Sequence, residues 1–261
     1  MGIRKITKVT AIVQARMGSS RLPGKVLMPL AGFPSLWWIN QRLLLSKEIT
    51  HIVVATSTNI NNNPIVKFCI DNEISWFSGS EEDVLQRVTD AAEMFGHDKV
   101  EDIVIDITAD CPLIDPVHID HLVKELVKHN YDYISNCYNR YLPDGFDVQV
   151  YRRFALEEVN RIVKKKEYRQ HSGWLIPALQ KERPNEVNFK IGEWFPKGDC
   201  YYPHWGLTLD EAADYKLLKK VLNHFKKDIS FSAEDVIKFL HKSPHLLKIN
   251  SHIKRKIPGE L

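Results

Sequence analysis

Val9-Thr10-Ala11-Ile12-Val13-Gln14-Ala15-Arg16-Met17-Gly18-Ser19-Ser20-Arg21-Leu22-Pro23-Gly24-Lys25 is an apolar run that breaks into a basic, glycine-bearing loop. The run 9–14 is far too short for the apolar core of a secretion signal and reads as a strand. The eleven residues from Ala15 to Lys25 then gather two arginines, one lysine, two serines and two glycines. Glycine lets backbone amides approach an anion, serine adds hydroxyl donors, and Arg and Lys supply charge. Such a loop at a strand end reads as a triphosphate cradle; the plain alternative is a Gly/Pro turn with solvated basic residues. It is not a P-loop, because five residues separate Gly18 from Gly24 and Val26 stands where Ser or Thr would meet magnesium.

Outward from this stretch, short β-branched runs alternate with helical patterns. Strands are expected at 9–14, 51–55, 75–77 and 103–108, and helices at 35–46, 64–72, 82–95 and 117–129. Ile103-Val104-Ile105 lacks polar alternation, as a central strand covered on both faces should. The fold class is therefore α/β, a three-layer, mostly parallel twisted sheet, with ligands expected beyond the carboxyl ends of its strands. From 133 the pattern loosens into strands at 146–151 and 188–191 and helices at 153–165, 172–179, 214–225 and 233–240, the last opened by Ser232 with Asp235 three residues on, a capping pattern. Residues 1–132 thus form a nucleotide-binding α/β half, and 133–261 an acceptor-binding and closing half of the same domain.

Composition narrows the function classes. The chain has 261 residues, 44% of them hydrophobic, and a formal charge of only +3, which argues against nucleic acid as a partner. Its basic runs, Lys164-Lys165-Lys166 and Lys254-Arg255-Lys256, read as solvated faces. No segment is apolar enough to span a membrane. Cys69, Cys111, Cys137 and Cys200 form no CxxC pair, which suits a reducing cytoplasm, and Cys200 with His204 reads as ordinary loop rather than zinc site.

A metal is better served by carboxylates. Asp110 ends the 103–108 strand just before a proline turn, where one strand-end Asp, a second carboxylate and substrate phosphates would suffice for Mg2+. Asp115 reads instead as the cap of the following helix. Asp210, after Gly206-Leu207-Thr208-Leu209, stands at a helix start and is open to either reading.

The run from Ala11-Ile12-Val13-Gln14 through Lys25-Val26-Leu27 resembles the nucleotide-binding signature of the CMP-sugar-acid synthetases, most of all their spore-coat-polysaccharide-type branch. The resemblance extends to about residue 218 and implies a sheet of the nucleotide-diphospho-sugar transferase type. It implies that Arg16, Ser19, Arg21 and Lys25 hold the phosphates of CTP, with Gly18 in the same nucleotide-binding loop. The segment Gly79-Ser80-Glu81-Glu82-Asp83-Val84-Leu85-Gln86-Arg87 would lie by the cytosine and ribose, with Ser80 and Arg87 as contacts. Thr208-Leu209-Asp210 is similar to a late motif of the family whose Asp completes the magnesium site, which makes Asp210 the partner of Asp110. The implied reaction is attack by an acceptor oxygen on the α-phosphorus of CTP with release of pyrophosphate. Arg16, Arg21, Lys25, Asp110 and Asp210 form the catalytic set, and a small acidic acceptor and a homodimer are implied partners. The Phe33, Leu36, Trp37, Trp38 cluster is then either interface or helical core.

Two positions depart from the family pattern. Gln149, in Asp144-Gly145-Phe146-Asp147-Val148-Gln149, and Gln170, in Arg169-Gln170-His171, are amides where the pattern has acids. Both fall in the acceptor half, which suggests a more anionic acceptor than a typical sugar acid, such as a phosphonate or phosphorylated compound. Gln149, Arg169 and His171 are the candidate acceptor ligands, with Arg140 and Arg152 as further cations. The alternatives are a nucleotidyl- or glycosyltransferase using another nucleotide, and a nucleotide-binding subunit without catalysis.

Overall fold

The computed structural model describes residues 7–226 and 228–255. Its strands are β1 (Val9–Gln14), β2 (Pro29–Leu30), β3 (Phe33–Pro34), β4 (His51–Ser57), β5 (Ser75–Gly79), β6 (Ile103–Thr108), β7 (Tyr133–Ser135), β8 (Gln149–Arg152) and β9 (Ile191–Glu193). Its helices are α1 (Ser35–Leu43), α2 (Asn63–Asp71), α3 (Val84–Met94), α4 (Pro116–His129), α5 (Arg153–Ile162), α6 (Leu175–Glu182), α7 (Ala212–His224) and α8 (Ala233–Lys242).

Seven strands form one sheet in the order β5-β4-β1-β6-β8-β7-β9, and β2 and β3 make a separate hairpin. β1 pairs in parallel with β4 and β6, β4 with β5, and β7 with β9, while β8 runs against both its neighbours. The sheet is therefore mostly parallel, as the unbroken apolar strands require. The chain steps outward from β1 through β4 to β5, then returns to place β6 on the other side of β1. This reversal opens a crevice at the carboxyl ends of β1 and β6, where Gln14 is paired with Thr108.

Strand alternation assigns the layers. Ala11, Val13 and Ala15 pack with Ile105 and Ile107 beneath α1 and α4. Ile12 and Val104 face the other way, toward α3, α5 and α6, with Tyr133 and Tyr151. A third apolar cluster joins α7 and α8 to Leu30, Trp38, Phe146, Leu207 and Leu209, and so anchors the segment that carries Asp210. Leu36 and Trp38 are fully buried, while Phe33 and Trp37 stack at 3.9 Å. Asp115 accepts from Val117 N at 2.8 Å, as a cap should, and also from Ala233 N at 2.7 Å, which docks the start of α8 on that of α4. Ser232 and Asp235 form the expected reciprocal cap of α8.

The second half departs from the sequence pattern in detail. The strand expected at 146–151 begins only at Gln149, because Asn136 donates to Phe146 O and accepts from Val148 N, both at 2.8 Å, and supplants a neighbouring strand there. The strand expected at 188–191 is β9, displaced to Ile191–Glu193. Lys164, Lys165 and Lys166 are exposed, but Arg255 is not a solvated charge: its Nη2 lies 2.5 Å from Asp214 Oδ1. Residues 1–6 of the leading segment, and Lys256 of the second basic run, lie outside the described residues.

Gly145 sets a backbone crossing that matters for the site. Asp144 N donates to Trp205 O at 2.9 Å and Leu207 N to Asp144 O at 2.6 Å, so the 143–147 loop lies against the strand-like run leading to Asp210. Gly145 has φ 121°, and a Cβ there would stand 2.6 Å from the Leu207 carbonyl carbon and oxygen. Backbone cannot give way as a flexible side chain can. Gly145→Ala is therefore expected to cost about 3 kcal/mol and lower the melting temperature by roughly 10 °C, as scanning calorimetry will read.

Candidate active site

The loop after β1 is shaped by its own backbone. Ser19 N and Gly24 N both donate to Met17 O at 2.9 Å, and Gly24, at φ 71°, turns the chain into a single 3₁₀ turn that begins at Lys25. The loop is tied down by Asn62, which accepts from Met17 N at 2.8 Å and donates to Ser57 Oγ at 2.6 Å and Glu81 Oε2 at 3.2 Å. The carboxyl ends of β1, β4 and β5 thus share one side chain.

Lys25 reaches across the crevice. Its Nζ lies 2.8 Å from Asp110 Oδ2 and 2.9 Å from Asp210 Oδ1, and Arg21 Nη2 is 3.0 Å from the same Asp210 oxygen. Burial alone would lower the Lys25 pKa, yet the two carboxylates hold it above its ordinary value. Burial likewise would raise Asp110, but the Lys25 ammonium keeps it below the usual carboxylate range. Asp210 is oriented from behind. Asp214, wholly buried, accepts from the backbone nitrogens of Asp210 and Glu211 at 3.2 and 2.9 Å and from Asn250 and Arg255 on its outer side. Asp214 therefore buttresses the loop.

These groups line a cleft of about 330 Å³ together with Arg16, Ser19, Ser20, Gln14, Val84, Arg87 and Gln170. Arg16 and Gly18 are exposed on the loop. Arg87 is 3% exposed, donates to Ser80 O at 2.6 Å and is lowered in pKa by burial, while its buried Nε has no hydrogen-bond partner. Among the described residues Asp110 and Asp210 are not joined by a third carboxylate, cysteine or histidine in a metal-sized cluster.

Other expected ligands stand elsewhere. Ser80, Gln149, Arg169 and His171 are not among the described side chains that line the cleft. Ser80 Oγ accepts from Asp83 N at 3.0 Å at the start of α3. Arg169 is not free to bind an acceptor, because Asp83, Asn160, Val163 and Gln86 take all its N–H groups. Arg140 forms a two-pronged pair with Asp147 at 2.9 and 3.1 Å and meets Asp144 at 2.9 Å, and Arg152 lies 3.6 Å from Glu101. His171 packs edge-on against Trp174. Gln149 stands directly across from Asp106 and accepts from Tyr133 OH at 3.0 Å. A Glu there would put a second carboxylate beside a buried one, so the amide has a local reason.

Asp144 supplies a pH-dependence. Burial, and then the neighbouring Asp147, push its pKa up to about 7. The folded protein then keeps a proton that the unfolded chain has released, so the contribution of Asp144 to stability falls as pH rises from about 4 to about 7. Asp144→Asn should flatten that slope, seen as urea midpoints at pH 5 and pH 8 that lie closer together than in wild type.

The chain matches a family model described as cytidylyltransferase over residues 10–253. The chain belongs to the cytidylyltransferase family. It is 34% identical to an uncharacterized protein of Methanocaldococcus jannaschii, over 95% of this chain and 97% of that one. It is 29% identical to the spore coat polysaccharide biosynthesis protein SpsF of Bacillus subtilis, over 89% of this chain and 94% of that one. Among solved structures, a cytidylyltransferase from Leptospira borgpetersenii superposes with a TM-score of 0.83 at 29% identity, covering 96% of this chain and 100% of that one. This cytidylyltransferase is a CTP-dependent nucleotidyltransferase, and the resemblance read from Ala11 to Leu27 stands. No helix among its described residues is long and apolar enough to cross a membrane.

Proposed function

We propose that the cleft binds CTP with its triphosphate on the 15–25 loop and Mg2+ between Asp110 and Asp210, and transfers CMP to a small sugar acid. One observation carries this reading: a single cation, the Lys25 ammonium, sits 2.8 and 2.9 Å from the two carboxylates. Where an ammonium fits between hard oxygen donors, a magnesium ion that draws its remaining ligands from phosphates and water fits as well. Bound there, Mg2+ would neutralise phosphate charge as a Lewis acid.

The chain's own groups do the rest. Arg16, Arg21 and Ser19 offer donors to the β- and γ-phosphates, and Lys25, released from the carboxylates when phosphate arrives, supplies a point charge to the departing pyrophosphate. An acceptor oxygen forms a bond to the α-phosphorus as the bond to pyrophosphate breaks, and fixed positive charge favours that step because negative charge moves onto the leaving group.

A phosphonate or phosphorylated acceptor is the less favoured reading. The arginines offered as its partners, Arg140, Arg152 and Arg169, are each paired with carboxylates of the protein. A sugar acid with one carboxylate needs less, and the relationship to SpsF favours a precursor for polysaccharide. The test is pyrophosphate release with CTP, Mg2+ and a panel of sugar acids, phosphonates and phosphorylated polyols, with UTP, ATP and GTP in parallel. Release with CTP and a sugar acid is expected. Release only with a phosphorylated acceptor would reverse the assignment of acceptor class.

A further inference from the structure

Gln14 ends β1, and strand alternation sends its side chain to the α3 face of the sheet, because Val13 and Ala15 take the other. There its Nε2 donates to Asp106 Oδ1 at 2.5 Å and to Ser172 Oγ at 2.8 Å. Asp106 is 3% exposed, and its second oxygen accepts from Ser172 Oγ at 2.6 Å, Tyr151 OH at 3.1 Å and Gly173 N at 3.2 Å. A carboxylate has only acceptors to offer, so every partner of Asp106 must donate. Ser172 commits its one hydroxyl hydrogen to Asp106 and can only accept from Gln14. The direction of the Gln14 amide is thereby dictated: both its hydrogens point into the protein, and its carbonyl oxygen is what it offers to the cleft it lines.

Nothing in the transfer chemistry calls for such a device. The phosphates belong on the wall formed by Arg21, Lys25 and the two carboxylates. On the side made by Gln14, Val84 and Gln170 the one charged group among the described residues is Arg87, which donates to Ser80 O at 2.6 Å, and this side suits the nucleoside better than the triphosphate. Cytosine presents an exocyclic amino group where uracil presents a carbonyl oxygen, and an oriented acceptor is favourable to the first and repels the second.

We infer that the Gln14 carbonyl oxygen accepts the amino group of cytosine, and that Asp106 is the positioning residue that fixes the amide in this sense, giving selection of CTP over UTP. This rests on the reading of the cleft as a CTP site. Asp106→Asn tests it with little change of shape. Three donors hold the Oδ2 position, so the new NH2 must take the Oδ1 position facing Gln14. Gln14 then turns over and presents its own NH2, which suits the uracil carbonyl.

Dissociation constants for CTP and UTP, measured by calorimetry on wild type, Asp106→Asn and Gln14→Met, decide the matter. Wild type is expected to favour CTP by about 100-fold or more. Asp106→Asn should bring the two within about 10-fold through a gain in UTP binding, an outcome that mere loosening of structure cannot give. Gln14→Met, neutral and of similar size, should level the two through a loss of CTP binding, and it carries the test if Asp106→Asn does not fold. Wild-type selectivity retained in both variants, or in Gln14→Met alone where the other does not fold, overturns the inference and leaves the CTP site standing. A wild type that binds neither nucleotide overturns both.

Discussion

Asp110→Asn should lower kcat for pyrophosphate release by on the order of 1,000-fold while the dissociation constant for CTP moves less than about 10-fold. The substitution keeps the shape of the side chain and removes one negative charge. Leu209 N donates to the backbone oxygen of Asp110, not to its side chain, so the approach of the Asp210 segment survives. On the proposed reading, nucleotide affinity comes mainly from the loop cations, which the change leaves in place. On that reading, only the ability to hold a divalent cation against the reacting phosphate would be lost, and that would matter most when charge is moving. Steady-state kinetics with a separate binding measurement gives the answer, and an effect confined to KM would remove Asp110 from the catalytic set.

Lys25→Met should act in two opposite senses. Turnover should fall by about 100-fold or more, because the charge facing the leaving pyrophosphate is gone. Binding of Mn2+ without nucleotide should instead strengthen by about 10-fold, because the ammonium that now neutralises Asp110 and Asp210 no longer competes for them. Paramagnetic resonance of free Mn2+ measures this directly. Unchanged or weaker Mn2+ binding would mean that ammonium and metal do not share a place. The variant should also lose thermal stability at neutral pH, since Asp110 then lacks a counter-ion and Asp210 keeps only Arg21.

What could be read from the chain alone followed the range of the interactions involved. The βα order, the loop after β1 and the placing of Asp110 at a strand end depend on neighbours in sequence, and each was legible. The same holds for the caps at Asp115 and Ser232. Lys25 with Asp110 and Asp210 joins positions 85 and 185 residues apart, so residue types suggested a site while the contact itself could not be seen. Arg169 misled for the same reason: an arginine beside a histidine in the acceptor half looks available until Asp83, 86 residues away, is found at 2.6 Å. Asp106 and Ser172, 66 residues apart, carry no local signal, and Gln14 lay within the quoted signature without any indication of which way its amide turns.

Arg255 gives the end of the described chain a role in the middle of the molecule. Its guanidinium lies over Gly206, where even a methyl group would collide with it, and grips the carboxylate that positions Asp210. Arg255 therefore bears on the candidate reaction centre although it lines no part of the cleft itself. Replacing Arg255 would leave Asp214 without its guanidinium, so a change remote in sequence would be felt at Asp210.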